Sequence, residues 1–257
     1  TLMAGFASTV GWPLSAWLES RYGWRGACFA WAGLHLLVGL PLNARLPRAH
    51  PVRRIESSGE LAPAPTSALS PDMPSPTLTT VLLAFVFAVT WFISTAMAAH
   101  LPRMMQVAGA SLAVAVAVGA LVGPAQVAGR LLEFGFLRRV HPLLSARLAA
   151  LAHPIGAMAL VLVGPVAAPL FAVLHGAGNG ILTIAKGTLP LALFGPRGYG
   201  ARLGLIMTPA RFAQALAPPL FGLALERWGG GALWITAGLG LVSLGLLLAL
   251  RARPGSA

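Results

Sequence analysis

Apolar residues run along this chain in long unbroken stretches, and polar residues collect in the gaps between them. Each stretch approaches the ~20 residues that carry a helix across the hydrocarbon core of a bilayer. Eight can be read: Leu2–Leu18, Gly26–Leu42, Leu78–Ala99, Ser111–Leu132, Leu143–Val163, Pro169–Leu191, Leu203–Leu225 and Ala232–Leu250. No charged residue occurs from Leu148 to Ala185, so the division between the fifth and sixth rests on Gly164-Pro165 alone. The pattern also repeats itself. Pro13-Leu14-Ser15-Ala16 is followed, after four residues, by Arg21-Tyr22-Gly23. About 206 positions later, Pro219-Leu220-Phe221-Gly222 is followed at the same spacing by Arg227-Trp228-Gly229. Both copies close an apolar run and lead through a short turn into the next. A six-helix unit used twice is expected, with the first visible run as the fifth of twelve.

Residues 44–77 break the pattern. They hold seven of the 21 prolines, three of the six acidic residues, and Arg45, Arg48, Arg53 and Arg54. This composition reads as a polar, flexible linker. The chain divides accordingly into residues 1–43, the last two helices of one half; 44–77, the linker; and 78–257, a complete six-helix half.

Composition sharpens the class. The chain has 57% hydrophobic and 9% charged residues, and its mean hydropathy is +0.78. A soluble domain carries about 25% charged residues, so an all-α membrane protein is expected. The net charge of +12 does not point to nucleic acid, because the cations lie between apolar runs and not in a patch with interleaved aromatics. Their placement sets orientation instead. Arg45, Arg48, Arg53, Arg54, Arg130, Arg138, Arg139, Arg147, Arg197, Arg202, Arg251 and Arg253 fall on one side, and Arg21, Arg25, Arg103 and Arg227 on the other. The richer side is predicted cytoplasmic, with the linker and the C-terminus. Trp24 and Trp228 fall at matching outer boundaries. Cys28 is the single cysteine and, lying in an apolar run, is read as a small packing residue. No basic n-region precedes the first run, so no signal peptide is expected.

Polar residues inside the runs are the candidates for chemistry, because hydrocarbon penalises them unless they are partnered or face a water-lined cavity. His175, Asn179, Thr183 and Lys186 share one face of the sixth helix. They either line a translocation pathway or bond between helices, with Lys186 snorkelling to headgroups. On the seventh helix, Arg211 and Gln214 align with Met207 and Pro218; Arg211 lies too deep to snorkel cheaply, and Pro218-Pro219 can bend the helix or simply pack. Thr90 and Ser94 share a face of the third helix and either contact substrate or bond their own backbone. His153 is expected to be a structural, partnered histidine. Gly119-x-x-x-Gly123 and Ala125-x-x-x-Gly129 read as close-packing motifs. The six histidines show no metal-binding spacing, and no P-loop or cluster of catalytic acids is present. No enzyme and no cofactor are therefore expected.

Three segments carry a likeness to a known family. Gly11-Trp12-Pro13 running into Gly23-Trp24-Arg25-Gly26 is similar to the end of a fifth helix and its turn into a sixth. Gly129-Arg130-Leu131-Leu132-Glu133 followed by Arg138-Arg139 resembles the degenerate second copy of a loop motif, with Glu133 in place of Asp and Phe134 in place of a basic residue. Gly178-Asn179-Gly180 through Leu189-Pro190-Leu191 and Phe194-Gly195 resembles the tenth helix of bacterial efflux permeases. Together they resemble the major facilitator superfamily. The resemblance implies eight of twelve transmembrane helices of that fold in a bacterial inner membrane. It implies a monomeric secondary transporter moving a small solute by alternating access, with H⁺ as coupling ion and efflux as direction. It also implies a gating role for Gly129, Arg130, Glu133, Arg138 and Arg139, with Glu133 facing the N-terminal end of the first visible helix. The alternative for Arg130 and Glu133 is an exposed i,i+3 ion pair. With Lys186 and Arg211 near the pathway, an anionic or neutral polar substrate is preferred. A membrane sensor or scaffold that keeps the fold without transporting, or an inactive truncated transporter, is the alternative reading.

Overall fold

A computed structural model describes residues 7–45 and 76–250, and every regular element among them is helical. The described residues fall into two units, one of 7–14 with 76–250 and one of 15–45. The linker prolines and arginines between residues 46 and 75, and Arg251 and Arg253, lie outside the described residues.

Helix α1 (Ala7–Leu34) is interrupted at Gly23, whose φ of 68° and ψ of 173° are not helical. A five-residue π turn, His35–Gly39, joins it to the short α2 (Leu40–Ala44). Trp31 Nε1 donates to Ser15 Oγ at 3.1 Å. These residues stand at equal distances on either side of Gly23, so the second arm folds back along the first as a helical hairpin. Cys28 is exposed on the second arm, not packed as its apolar setting suggested.

The larger unit is a bundle of α3 (Pro76–Val107), α4 (Leu112–Gly135), α5 (Pro142–Val163), α6 (Ala168–Phe194), α7 (Tyr199–Trp228) and α8 (Ala232–Ala249). Their boundaries follow local chemistry. Ser111 caps α4 by accepting from Val114 N. His141 Nδ1 accepts from Leu143 N at the start of α5, with Pro142 in the first turn. α5 ends at Gly164, where the Gly-Pro pair predicted the turn. α7 ends at Gly229, at φ 54° and ψ −133°. Gly229 is the repeat partner of Gly23, and both take a positive φ that a side chain disfavours. The two copies of the sequence repeat thus make the same kind of backbone break. Pro209, Pro218 and Pro219 lie inside α7, which continues through all three.

Among the described residues, six helical stretches are long and apolar enough to cross a membrane: Thr9–Ala44, Thr77–Val107, Leu112–Arg139, Pro142–Val163, Pro165–Phe194 and Tyr199–Ala249. The first contains the turn at Gly23 and the last the break at Gly229–Gly231. Unbroken, the 51 residues of the last stretch would reach about 75 Å, over twice a ~30 Å hydrocarbon core. Large apolar side chains such as Leu162, Leu205 and Phe212 point outward, a surface suited to lipid and not to water. The chain has the build of an all-α integral membrane protein.

Contacts fix the helix directions. His100 of α3 lies beside Pro218 and Gly222 of α7, and Arg103 beside Glu226, so α3 and α7 run parallel. Val122 and Gln126 of α4 meet Gly176 and Gly180 of α6, again parallel. α5 runs opposite to both its neighbours, with Gly178 of α6 on Ala149 and Gly240 of α8 on Pro154. Arg147 of α5 donates to the carbonyls of Leu247, Leu248 and Leu250 at 3.0, 3.4 and 2.7 Å. A cation there satisfies the end carbonyls of α8 and its dipole. Arg147→Met is expected to lower stability by about 2 kcal/mol, with Arg147→Lys intermediate, as read by thermal unfolding in detergent. Equal melting of Arg147→Met and wild type would remove this capping role.

Candidate functional site

The core of the bundle is two apolar clusters, set apart along α5, α6, α7 and α8 and adjoining on α3. One contains Ile93, Met97, Leu101 and Met104 of α3, Ala157 and Leu160 of α5, Phe171 of α6, Phe221 of α7 and Leu233 of α8. The other contains Leu83 and Phe87 of α3, Leu143 and Ala146 of α5, Leu189 of α6, Ile206 of α7 and Leu247 of α8. A layer of polar groups, Thr90 and Ser94 of α3, His153 of α5, His175 and Asn179 of α6, and Ser243 of α8, lines one cavity; on α5, α6 and α8 they fall between the clusters, whereas on α3 they stand beside Val89 and Ile93 of the first. The cavity volume is about 30 Å³, room for roughly one or two waters. The site is therefore closed to anything larger in this conformation.

Within this layer His153 Nδ1 lies 3.1 Å from His175 Nδ1, and both rings are buried. Phe171 stacks on His175 with centroids 5.6 Å apart and planes 3° from parallel, and meets His153 edge-on at 5.8 Å. His153 is thus partnered, and its partner is a residue the sequence assigned to the pathway. His153 Nε2 and Ser243 Oγ are buried with no hydrogen-bond partner. Thr90 Oγ1 donates to Val86 O at 2.8 Å, bonding its own helix while still lining the cavity. Thr183 does the same to Asn179 O at 2.8 Å.

The remaining sequence candidates are not on the cavity. Lys186 is half-buried, its Nζ 5.2 Å from the centroid of the Trp91 ring on α3. That cation–π contact holds the ammonium inside the bundle, between helices. Arg211 donates from Nη1 to Gln214 Oε1 at 2.8 Å on an exposed face of α7. Ala210 and Ala217, on either side of this pair in sequence, belong to the two different apolar clusters, so the pair sits level with the polar layer but outside it.

The gating residues form a second polar group where α4 approaches α5 and α6. Gly129 packs on the Ala177 backbone. Arg130 and Glu133 are each 6% exposed, which excludes the exposed ion pair considered from sequence. Arg130 Nη2 lies 3.5 Å from Gln126 Oε1, and the Ser145 hydroxyl of α5 lies beside the Glu133 carboxyl. Arg138 and Arg139 lie just beyond α4, with the Arg138 guanidinium 5.1 Å from the Phe134 ring centroid. The beginning of the first apolar run, residues 1–6, whose N-terminal end Glu133 was expected to face, lies outside the described residues.

Sequence reasoning missed Ser243, a single hydroxyl in an otherwise apolar stretch of helix, and underused His153. Their signal was available only in combination: each is an isolated polar group in a span, at a depth matching His175. No protein-family model matches the chain, and no curated protein matches it.

Proposed function

We propose that this chain supplies the six-helix half, and two helices of the other half, of a secondary transporter of the major facilitator type. It moves a small solute by alternating access, coupled to H⁺ and in the direction of efflux. The observation that carries this reading is the polar layer at mid-height, with an apolar cluster on each side along α5, α6 and α8, the arrangement a midplane binding site with two gates requires. Helix pairing supports it. α3 packs on α7 and α4 on α6, α5 on both α6 and α8, and α3 on α8. Exchanging the first three helices of the bundle with the last three maps this set of pairs onto itself, as an inverted three-plus-three repeat would.

The Arg211–Gln214 pair adds a third support. A cation facing lipid at mid-depth costs at least about 2.5 kcal/mol, so the exposed face of α7 is read as facing a second helical half or a water-filled cleft. Lys186 and Arg211 favour an anionic or neutral polar solute. Arg138, Arg139, Arg147, Arg197 and Arg202 gather at one end of the bundle and Arg103 and Arg227 at the other, and this bias supports a cytoplasmic first end in a bacterial inner membrane. Counting each arm at Gly23 and at Gly229 as a crossing gives eight spans of twelve.

Alternating access is testable without knowing the solute. Cys28→Ser, with any cysteine encoded elsewhere in the reading frame also changed to serine, gives a cysteine-free background. In it, Ser94→Cys and Asn179→Cys, in the product of the full reading frame, are expected to react with a membrane-impermeant maleimide from either face of sealed vesicles. A scaffold that keeps the fold but does not cycle would leave both cysteines unreactive, and labelling from one face only would indicate a fixed cleft.

A further inference from the structure

We infer that His153 and His175 form a single proton-binding unit, loaded through the cavity water at His153 Nε2. This rests on the transport reading for its role, and on the geometry of the pair for its chemistry. Two ring nitrogens 3.1 Å apart cannot both be acceptors, so one imidazole is the Nδ1–H tautomer and donates to the other. We take His153 as the donor, which makes its unpartnered Nε2 the lone-pair nitrogen and leaves the proton of His175 on Nε2. Ser243 Oγ, also without a partner, shares the cavity with it. A water there satisfies both groups and is the route by which a proton reaches the pair.

The step balances simply. A hydronium in the cavity gives its proton to His153 Nε2, leaving water and an imidazolium. The Nδ1–H bond to His175 stays in place throughout, so the pair gains charge without losing its internal hydrogen bond. Phe171, 0% exposed, packs against both rings and fixes their mutual position.

Among the described residues, no carboxylate lines the cavity to hold this charge or compete for it. On α3 the lining groups are Thr90 and Ser94, while His100 is engaged with the Pro218 carbonyl. On α5 Arg147 is committed to the end of α8. On α6 Asn179 faces the cavity, and Lys186, seven residues on, is about 10 Å further along the axis with its ammonium held on Trp91. α8 contributes Ser243. Arg211 of α7 is outside the layer, and the charged residues of α4, Arg130 and Glu133, are in its last turns.

The test is nitrogen NMR of isotope-labelled histidine in the full reading-frame product held in lipid nanodiscs, titrated with acid. The proton itself is the probe, so the outcome does not depend on finding a solute. Wild type is expected to show coupling across one Nδ1–H···Nδ1 bond, and both rings shifting at a single midpoint with uptake of one proton. His175→Asn, which keeps a polar atom near the Nδ1 position, should move or abolish the His153 titration. Ser243→Ala removes no ring, yet should slow ring N–H exchange roughly tenfold through loss of the water anchor. Independent midpoints for the two rings, or a His153 titration unchanged in His175→Asn, would overturn the inference. Cysteine labelling on one face only would instead defeat the transport role and leave the paired titration standing.

Discussion

Gly180→Leu is expected to be the most damaging single substitution in the bundle. A Cβ at Gly180 falls on the Gln126 carbonyl of α4, inside van der Waals contact. Four residues earlier, a Cβ at Gly176 would lie 2.7 Å from both Ala125 Cβ and the Val122 carbonyl oxygen. These are backbone and Cβ contacts, so no flexible side chain can swing aside. Helices in lipid associate through such small-residue packing, since lipid tails are as apolar as leucine. Separating α4 from α6 would also displace His175 and Asn179 from the cavity they line. A cost of about 3 kcal/mol or more is expected, a loss of over roughly 100-fold in the folding equilibrium constant. Gly180→Ala should already be destabilising. Gly204 and Gly238, helical glycines with open space around them, should behave oppositely, with alanine gaining up to about 1 kcal/mol. Denaturant titration of the four variants in micelles reads both signs, and a destabilising Gly204→Ala or a neutral Gly180→Leu would contradict the packing described.

Gly229→Val is expected to have the second-largest effect. The φ of 54° with ψ of −133° belongs to backbone that β-branched residues avoid, at a cost of roughly 1–3 kcal/mol. A valine also favours continuing α7 into α8, which would pull Gly240 and Ser243 away from the cavity they help enclose. Stability should fall by about 3 kcal/mol, and Asn179→Cys should gain maleimide reactivity in the same background as its wall opens. Gly230, the adjacent residue, is not among the positive-φ glycines, and a Cβ added there would meet nothing within 4 Å. Gly230→Ala should stay within about 0.5 kcal/mol of wild type. If the two substitutions melt alike, the turn does not depend on the backbone of Gly229.

The candidate site was only partly legible before the fold was known. Thr90 with Ser94, and His175 with Asn179, stand four residues apart, and helical periodicity alone puts each pair on one face. The same logic grouped Thr183 and Lys186 with His175. The fold instead turns Thr183 back to its own backbone and lays Lys186 against Trp91. Arg147 counted in the sequence only as a topogenic charge, yet three of its hydrogen bonds close the end of α8. No local pattern links residue 147 to residues 247–250.

The helices and their breaks were written into the chain locally. Span length is fixed by bilayer thickness and backbone rise. The ends are fixed by Ser111, His141, Gly164 and the repeated glycines at 23 and 229, each of which acts on its own few residues. The rotation and depth of each helix against its neighbours came only with packing. Helices apolar on nearly every side carry no stripe that tells core from lipid, so nothing in the residue order said that Gly176 and Gly180 meet α4 while Gly204 meets nothing. Nor did it bring His153 to His175. That pairing depends on α5 and α6 running antiparallel at close range, which the backbone contacts of Gly156 and Gly178 permit.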